Sequence, residues 1–529
     1  MSLRRLLTGL FLRTLGSPRD AARWAFRKHA GRLALLTGDG RGVTFAELGS
    51  RVFALSAGLL RQGLAPGDRV AFLLPNCPEF VEVRLACHEA GLVAVPLVWD
   101  LSAEARVRAL ELTGARLYLY DPALDGGAAE LAAAALPGLR RVALPEGDRS
   151  GLEALAAAGA GAGSPPAKAK IDPAAPATVN FTSGTTGEPK GVVSTHRGWM
   201  ASVRMMAASG RLAPVADERF LHAIPFATAG WGPVLPCLLG GVTGLLLRRY
   251  EPAAALDLAE RERATRAFLT PSQIVDWLDE PVLGSRDLSR LRAIVYGTAP
   301  LHGPKAAEAL RRFGPLLQQG YGLAEVLPPL ALLWPEEHDP AAHPFRAGRV
   351  ARGVEVRVAG ADGGEVPAGS RGEVLVRAPT QTPGYWRRPD LTAAALSGGF
   401  FRTGDVGFRD ELGYLNVVGR AAEAVPGLAL HPREIEEAAH AHGALKECAL
   451  VAPPEDGGGG RGGGAVLAYS VRFERELDPA ELARHLAARL PAEAAAAVRP
   501  LRWPGDLPRS AAGKIVRGRI RVSATGEHR

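Results

Sequence analysis

Apolar and polar positions follow two different rhythms along this chain. Between Val43 and about Tyr120, amphipathic stretches at helical spacing are separated by short, wholly apolar runs. Phe45–Arg61 repeats its apolar residues every three to four positions, which predicts a helix. Val70–Leu74 predicts a buried strand, Glu79–Ala90 a second helix and Leu92–Leu97 a second strand. Helices alternating with buried strands predict an α/β fold built on doubly wound, parallel sheets. From Gly353 to Val418 the rhythm changes. Short β-prone runs (Val354–Val358, Gly372–Arg377, Gly413–Val418) are separated by glycine-rich turns, which predicts a small antiparallel, β-rich subdomain. The stretch Gly126–Lys170 is rich in Ala, Gly and Pro, and its second half reads as a loop. After Arg420, helix and strand patterns return, interrupted by the Gly457–Gly464 loop. A domain boundary is expected at Arg420–Ala421.

Charge changes the picture at one end only. The formal net charge is +8, from 63 Lys+Arg and 55 Asp+Glu. Residues 1–32 hold eight basic residues and one acid, so they carry +7, and the remaining 497 residues carry +1. A near-neutral body argues against a nucleic-acid partner. Leu3, Leu6, Leu7, Leu10, Phe11 and Leu15 recur at helical spacing between arginines. This basic amphipathic segment, 1–32, reads either as a peripheral membrane contact or as a helix docked on its own domain.

Length and cysteine usage bound the rest. A chain of 529 residues is too long for one compact core. Three parts are expected: the segment 1–32, a large domain 33–420 and a small C-terminal domain 421–529. Cys77, Cys87, Cys237 and Cys448 form no CxxC pair, which excludes a disulfide scaffold or zinc module and points to the cytoplasm. No apolar run reaches the roughly 18 residues that span a bilayer. His440 and His442 lie two apart on a predicted helix and so point different ways, which argues against a metal site there.

The densest chemical signal is Thr182–Gly191, TSGTTGEPKG, directly after the apolar Ala177–Phe181. Glycines free the backbone to turn, hydroxyls add donors, and Lys190 adds a fixed charge. Such a composition suits a phosphate-cradling loop. The GxxxxGK[ST] spacing is absent, so it is not a Walker loop. It is not a GxSxG nucleophile elbow either, because Phe181 stands where the first Gly belongs.

At this loop the chain resembles the adenylate-forming superfamily of acyl- and aryl-CoA ligases, luciferases and peptide-synthetase adenylation domains. It is most similar in general impression to the fatty-acid–CoA ligases. The resemblance runs from about Thr44 to Arg517 through LPNCPEF (74–80), YGTAPL (296–301), GYGLAEV (320–326), GEVLVRAPTQTPGYW (372–386), RTGDVG (402–407), Gly419-Arg420 and PRSAAGKIVR (508–517). It implies a large N-terminal domain followed by a small, mobile α+β C-terminal domain that carries the catalytic lysine. It also implies ATP, Mg²⁺ and coenzyme A as cofactors. A carboxylate attacks the α-phosphorus of ATP, and pyrophosphate leaves. Both partners are anionic, so cations must screen them and hold them in line.

By the resemblance, Thr182, Ser183, Gly184, Thr185, Thr186, Gly187 and Lys190 hold the β- and γ-phosphates. Gly297, Thr298 and Ala299 form the adenine-contacting turn, Tyr321 stacks near adenine, and Gly322 lies beside it. Glu325 ligates Mg²⁺, Asp405 accepts from the ribose hydroxyls, and Arg420 supports ribose and phosphate. Lys514 reaches both the attacking carboxylate and the α-phosphate. Lysine is scarce here, with seven among 63 basic residues, yet it stands at both motif positions. A compact ammonium is not interchangeable with a guanidinium.

The chain also departs from the family pattern. Ala324 stands where a threonine usually contacts the α-phosphate, and Ala422 where the hinge usually has Asp or Lys. The post-hinge segment is shortened by about two residues, to Pro426–Pro432, where relatives help form the pantetheine tunnel. Thr228 takes the place of an aromatic or His near the acyl pocket. The Gly457–Gly464 loop replaces a more structured turn, and Leu490–Pro500 lacks the lysine usual before the last motif. Three readings follow. One is an acid–thiol ligase joining a carboxylic acid, expected to be a fatty acid, to coenzyme A. The second keeps adenylation and transfers to a carrier-protein thiol. The third is a non-catalytic nucleotide- or acyl-binding relative.

Overall fold

The computed structural model describes residues 12, 14–158, 170–183, 189–209, 211, 215, 217–452 and 465–520, with backbone alone at 182 and 183. The helix Phe45–Arg61 starts at a capping box, in which the Thr44 hydroxyl accepts from the Glu47 N–H and the Glu47 carboxylate accepts from the Thr44 N–H. Its apolar stripe packs on the helix Pro78–Ala90, which is buried along nearly its whole length. The strands Arg69–Leu73 and Val93–Pro96 are almost wholly apolar because helices cover both faces. They belong to a six-stranded sheet that is parallel except for its last hairpin, Pro176–Ser183 with Pro189–Thr195.

A second sheet of fourteen strands is the largest element among the described residues. Its parallel part includes Arg219–His222, Thr243–Leu246, Arg266–Leu269, Ala293–Gly297 and Leu317–Tyr321. The expected β-rich subdomain is present, but it is no separate sheet. Its strands continue the same hydrogen-bonded ladder through Ala331–Leu333 and Arg346–Val350 to Tyr414–Arg420, Phe400–Arg409, Gly372–Arg377 and Glu355–Ala359. Strand spacing alone carries no information on which edge a subdomain joins. A three-stranded sheet (Leu445–Val451, Ala465–Val471, Val498–Arg502) with flanking helices forms the smaller C-terminal unit.

One expectation is corrected. The second half of Gly126–Lys170 is not all loop, because Ser150–Ala157 is helical and buries Leu152 and Leu155. This helix lies so close to Phe45–Arg61 that a Cβ at Gly58 would sit 1.9 Å from the Leu155 carbonyl oxygen. Its alanine and leucine content favours helix even where composition suggests low complexity.

The segment Leu3–Leu15 lies mostly outside the described residues. Leu12 and Leu15 are buried against Met200, Val203 and Leu235, and the helix Pro18–Lys28 packs on the large domain. Arg23 from this helix donates its Nε–H to both Glu89 carboxylate oxygens, at 3.0 and 2.9 Å, and its Nη2 to one of them. No described helix is long and apolar enough to cross a membrane. The four cysteines are free and buried.

Candidate active site

A cavity of about 1410 Å³ opens where the parallel strands end and the C-terminal unit meets them. Crevices at the carboxyl ends of parallel strands are the usual ligand sites of such sheets. Lys190, Gly297, Thr298, Ala299, Tyr321, Gly322, Ala324, Glu325, Asp405, Arg420 and Lys514 all line it. Residues 184–188 lie outside the described residues, as do the side chains of Thr182 and Ser183. Thr182 and Lys190 are register partners on the paired strands Pro176–Ser183 and Pro189–Thr195.

Strand ends shape Gly297 and Thr298. Gly297 closes Ala293–Gly297, and a Cβ there would sit 2.4 Å from the Gly320 carbonyl oxygen, so only glycine lets the strands pair this closely. Thr298 follows with φ of 73°, and its buried hydroxyl has no hydrogen-bond partner among the described residues. A β-branched residue in the left-handed region stores strain, which persists chiefly at functional sites.

Tyr321 donates its hydroxyl to Asp405. Asp405 also faces the Arg420 guanidinium at 3.1 Å, as its register partner on the neighbouring strand. Burial raises the Asp405 pKa above the ordinary carboxylate value, and the Arg420 charge and Tyr321 hydrogen bond oppose it. The Tyr321 hydroxyl therefore bonds a carboxylate, a contact that stacking alone would not require.

Glu325 accepts a 2.9 Å hydrogen bond from Tyr385, and its backbone carbonyl accepts from the Thr382 N–H at 2.7 Å. Sequence reading assigned Tyr385 no role. The only signal was its place at the end of the segment 372–386. Among the described residues no group of three His, Cys, Asp or Glu could hold a metal by itself. A single oriented carboxylate still fits Mg²⁺, which prefers one or two protein carboxylates together with substrate phosphates.

Lys514 comes from a tight hairpin. Ser510 N–H bonds the Lys514 carbonyl at 2.8 Å, Val516 N–H bonds the Pro508 carbonyl at 2.8 Å, and Gly513 turns the chain with φ of +73°. The hairpin is docked on the large domain. Asp100 accepts from the Ala511 N–H at 2.8 Å, and Arg509 bonds Asp276 at 2.6 and 3.0 Å. Lys514 is ringed by protein yet keeps accessible surface, because it projects into the cavity. Burial and then the Arg420 charge lower its pKa, against Asp405, Glu325 and Glu423.

The departures from the family pattern lie here too. Ala324, Ala422 and Thr228 line the cavity. His431 ends the short post-hinge segment, and its ring packs against Gly419, where a Cβ would meet it at 2.1 Å. His431 Nε2 lies 3.0 Å from the Arg420 carbonyl oxygen. His440 stacks on His302 at 4.1 Å, whereas His442 faces Glu481, so the two point apart as expected.

A family model for AMP-binding enzymes matches residues 22–386. The chain is 34% identical over 486 residues to a feruloyl-CoA synthase of Amycolatopsis sp, covering 91% of this chain and 94% of that one. It is 31% identical over 501 residues to the fatty acid–[acyl-carrier-protein] ligase ScoC of Streptomyces coeruleorubidus, covering 92% and 93%. Among solved structures, it resembles the amide bond synthetase McbA of Marinactinospora thermotolerans with a TM-score of 0.79, 31% identity and coverage of 94% and 97%. The chain belongs to the AMP-binding enzyme family. Its activity is that of an AMP-forming acid–thiol ligase, and its cofactors are ATP, Mg²⁺ and coenzyme A.

Proposed function

We propose that this enzyme activates an apolar carboxylic acid, either a fatty acid or an aryl-substituted acid of similar length, as its adenylate. The acyl group then passes to coenzyme A, with release of AMP and pyrophosphate. The observation that supports this most is Lys514, which reaches from the C-terminal unit into the cavity that Glu325, Asp405 and Arg420 line. The segment Thr182–Lys190 holds the terminal phosphates. Lys514 screens the charge between the attacking carboxylate and the α-phosphate, in a pocket where burial strengthens its field. Asp405 receives the ribose hydroxyls and Arg420 steadies them. Glu325, oriented by Tyr385, holds Mg²⁺, which would neutralise phosphate charge. Arg420–Ala421 is the pivot between the domains 33–420 and 421–529. Two relatives, one named for feruloyl-CoA synthesis and one for fatty-acid ligation, bracket the acid.

A carrier-protein thiol is the second reading. The short Pro426–Pro432 segment, pinned by His431 to Gly419, favours it, because the stretch that would enclose a free pantetheine arm is reduced. A relative named as a carrier-protein ligase supports the same acceptor. The test is pyrophosphate release over fatty, aryl and amino acids, with and without coenzyme A. Lys514→Ala is expected to lose about 100-fold or more of acid-dependent release. Efficient acyl-CoA formation eliminates the carrier reading, and no acid-dependent release from the wild type overturns the substrate class proposed here.

A further inference from the structure

Part of the cavity lining lies on one face of the parallel sheet. Register places Phe220, Arg266 and Ala293 side by side, then Phe268 and Val295 two residues on, then Gly297. Side chains at alternate positions share a face, and Phe220, Arg266, Phe268, Val295 and Gly297 all line the cavity. The helix His196–Ser209 adds Ser202 and Met206 to the lining of the same cavity. The glycine end of this slot adjoins Thr298. Its walls are aromatic and aliphatic. From Gly297 back to the level of Arg266 is four residues, about 13 Å at the rise of a parallel strand.

The far end is charged. Arg266 Nε donates to Glu218 at 3.0 Å, and Nη1 donates to the Arg211 carbonyl at 2.9 Å. Both paired side chains are nearly buried, at 13% and 6% exposure. Glu218 is held further by the Val215 N–H at 3.1 Å. An apolar tail that reaches this pair cannot replace its hydrogen bonds. Pushing between the partners would leave a buried charge uncompensated, which is strongly unfavourable.

We propose that the Arg266–Glu218 ion pair is the end-stop of the acyl slot, so the enzyme selects apolar acids of medium length over long-chain ones. A staggered carbon chain advances about 1.25 Å per bond of ~1.5 Å. The slot therefore holds about eight to ten carbons, or an aryl-propenoic acid of the same reach. This inference rests on the function proposed above and names the size class of its substrate.

The test is kcat/KM for pyrophosphate release across saturated acids from butanoate to hexadecanoate. Wild type is expected to rise to octanoate or decanoate and fall about tenfold or more by hexadecanoate, in line with what single methylenes do in tight pockets. The double variant Arg266→Ala/Glu218→Ala removes both charges together and leaves neither unpaired. Its hexadecanoate-to-octanoate ratio is expected to rise about tenfold or more. Val295→Phe, part-way along the slot, keeps the ion pair and is expected to lower decanoate relative to butanoate. Equal use of octanoate and hexadecanoate by the wild type overturns the proposal, as does a ratio unchanged in the variants. If no acid supports release, the ligase reading fails instead. Binding of the same acids, followed by fluorescence of the cavity-lining Trp199, then still reports whether affinity falls beyond ten carbons. Affinity that keeps rising to hexadecanoate overturns the end-stop.

Discussion

Ala324 faces the cavity with a methyl group beside Glu325, where a hydroxyl could reach an anionic oxygen. A hydrogen bond to a charged group is worth about 1.5–3 kcal/mol. Ala324→Thr is therefore expected to raise the adenylation rate by about 10- to 100-fold, read as pyrophosphate release at saturating acid. Lys305 presents the opposite case, a buried charge on the wall of the same cavity. Its ammonium donates to the Leu445 carbonyl at 2.6 Å across the domain junction, and burial lowers its pKa from 10.5 to about 8, with Arg472 adding to the fall and Glu308 opposing it. Between those two values the unfolded chain binds the proton and the folded one does not, so stability from this group rises with pH there. The cost of charging it, fully present below about pH 8, is about 3 kcal/mol. Lys305→Met is expected to flatten the rise in thermal midpoint between pH 8 and 10 relative to wild type.

The Lys514 hairpin shows how an element carries a residue. Gly513 needs its positive φ, and a Cβ there would lie 2.8 Å from the Thr270 hydroxyl. Gly513→Ala is therefore expected to lift the hairpin off the helix Pro271–Asp279. Adenylation should slow about tenfold, while transfer from a supplied acyl-adenylate to coenzyme A keeps its rate. Elements of this kind were legible in the sequence because their signatures are local. The capped helix after Thr44 and the apolar strands announce themselves within a dozen residues. Tyr385 and Asp100 do not. A tyrosine that orients Glu325 sixty residues away, and an aspartate that receives a backbone N–H from Ala511, acquire their roles only through tertiary contact.

At the scale of the molecule, the polar contacts that hold the C-terminal unit include those to Asp100, Asp276 and Asp279, the Lys305 ammonium on the Leu445 carbonyl, His302 with Glu437 and Arg371 with Glu434. Asp100→Ala removes the contact nearest Lys514. It is expected to slow adenylation about tenfold and leave thioester formation from a supplied adenylate unchanged, measured as separate half-reactions. Sequence patterns distinguished parallel from antiparallel regions, yet the joining of both into one sheet was beyond them. Pairing of Ala331–Leu333 with Leu317–Tyr321 depends on edge geometry that no spacing encodes. That joint has a consequence for how the molecule opens. Strands on both sides of it share one ladder of hydrogen bonds, so amide deuterium uptake in Ala293–Gly297 and Tyr414–Arg420 should rise together under mild denaturant as one cooperative unit. The three strands of the C-terminal unit, outside that ladder, should exchange on a schedule of their own.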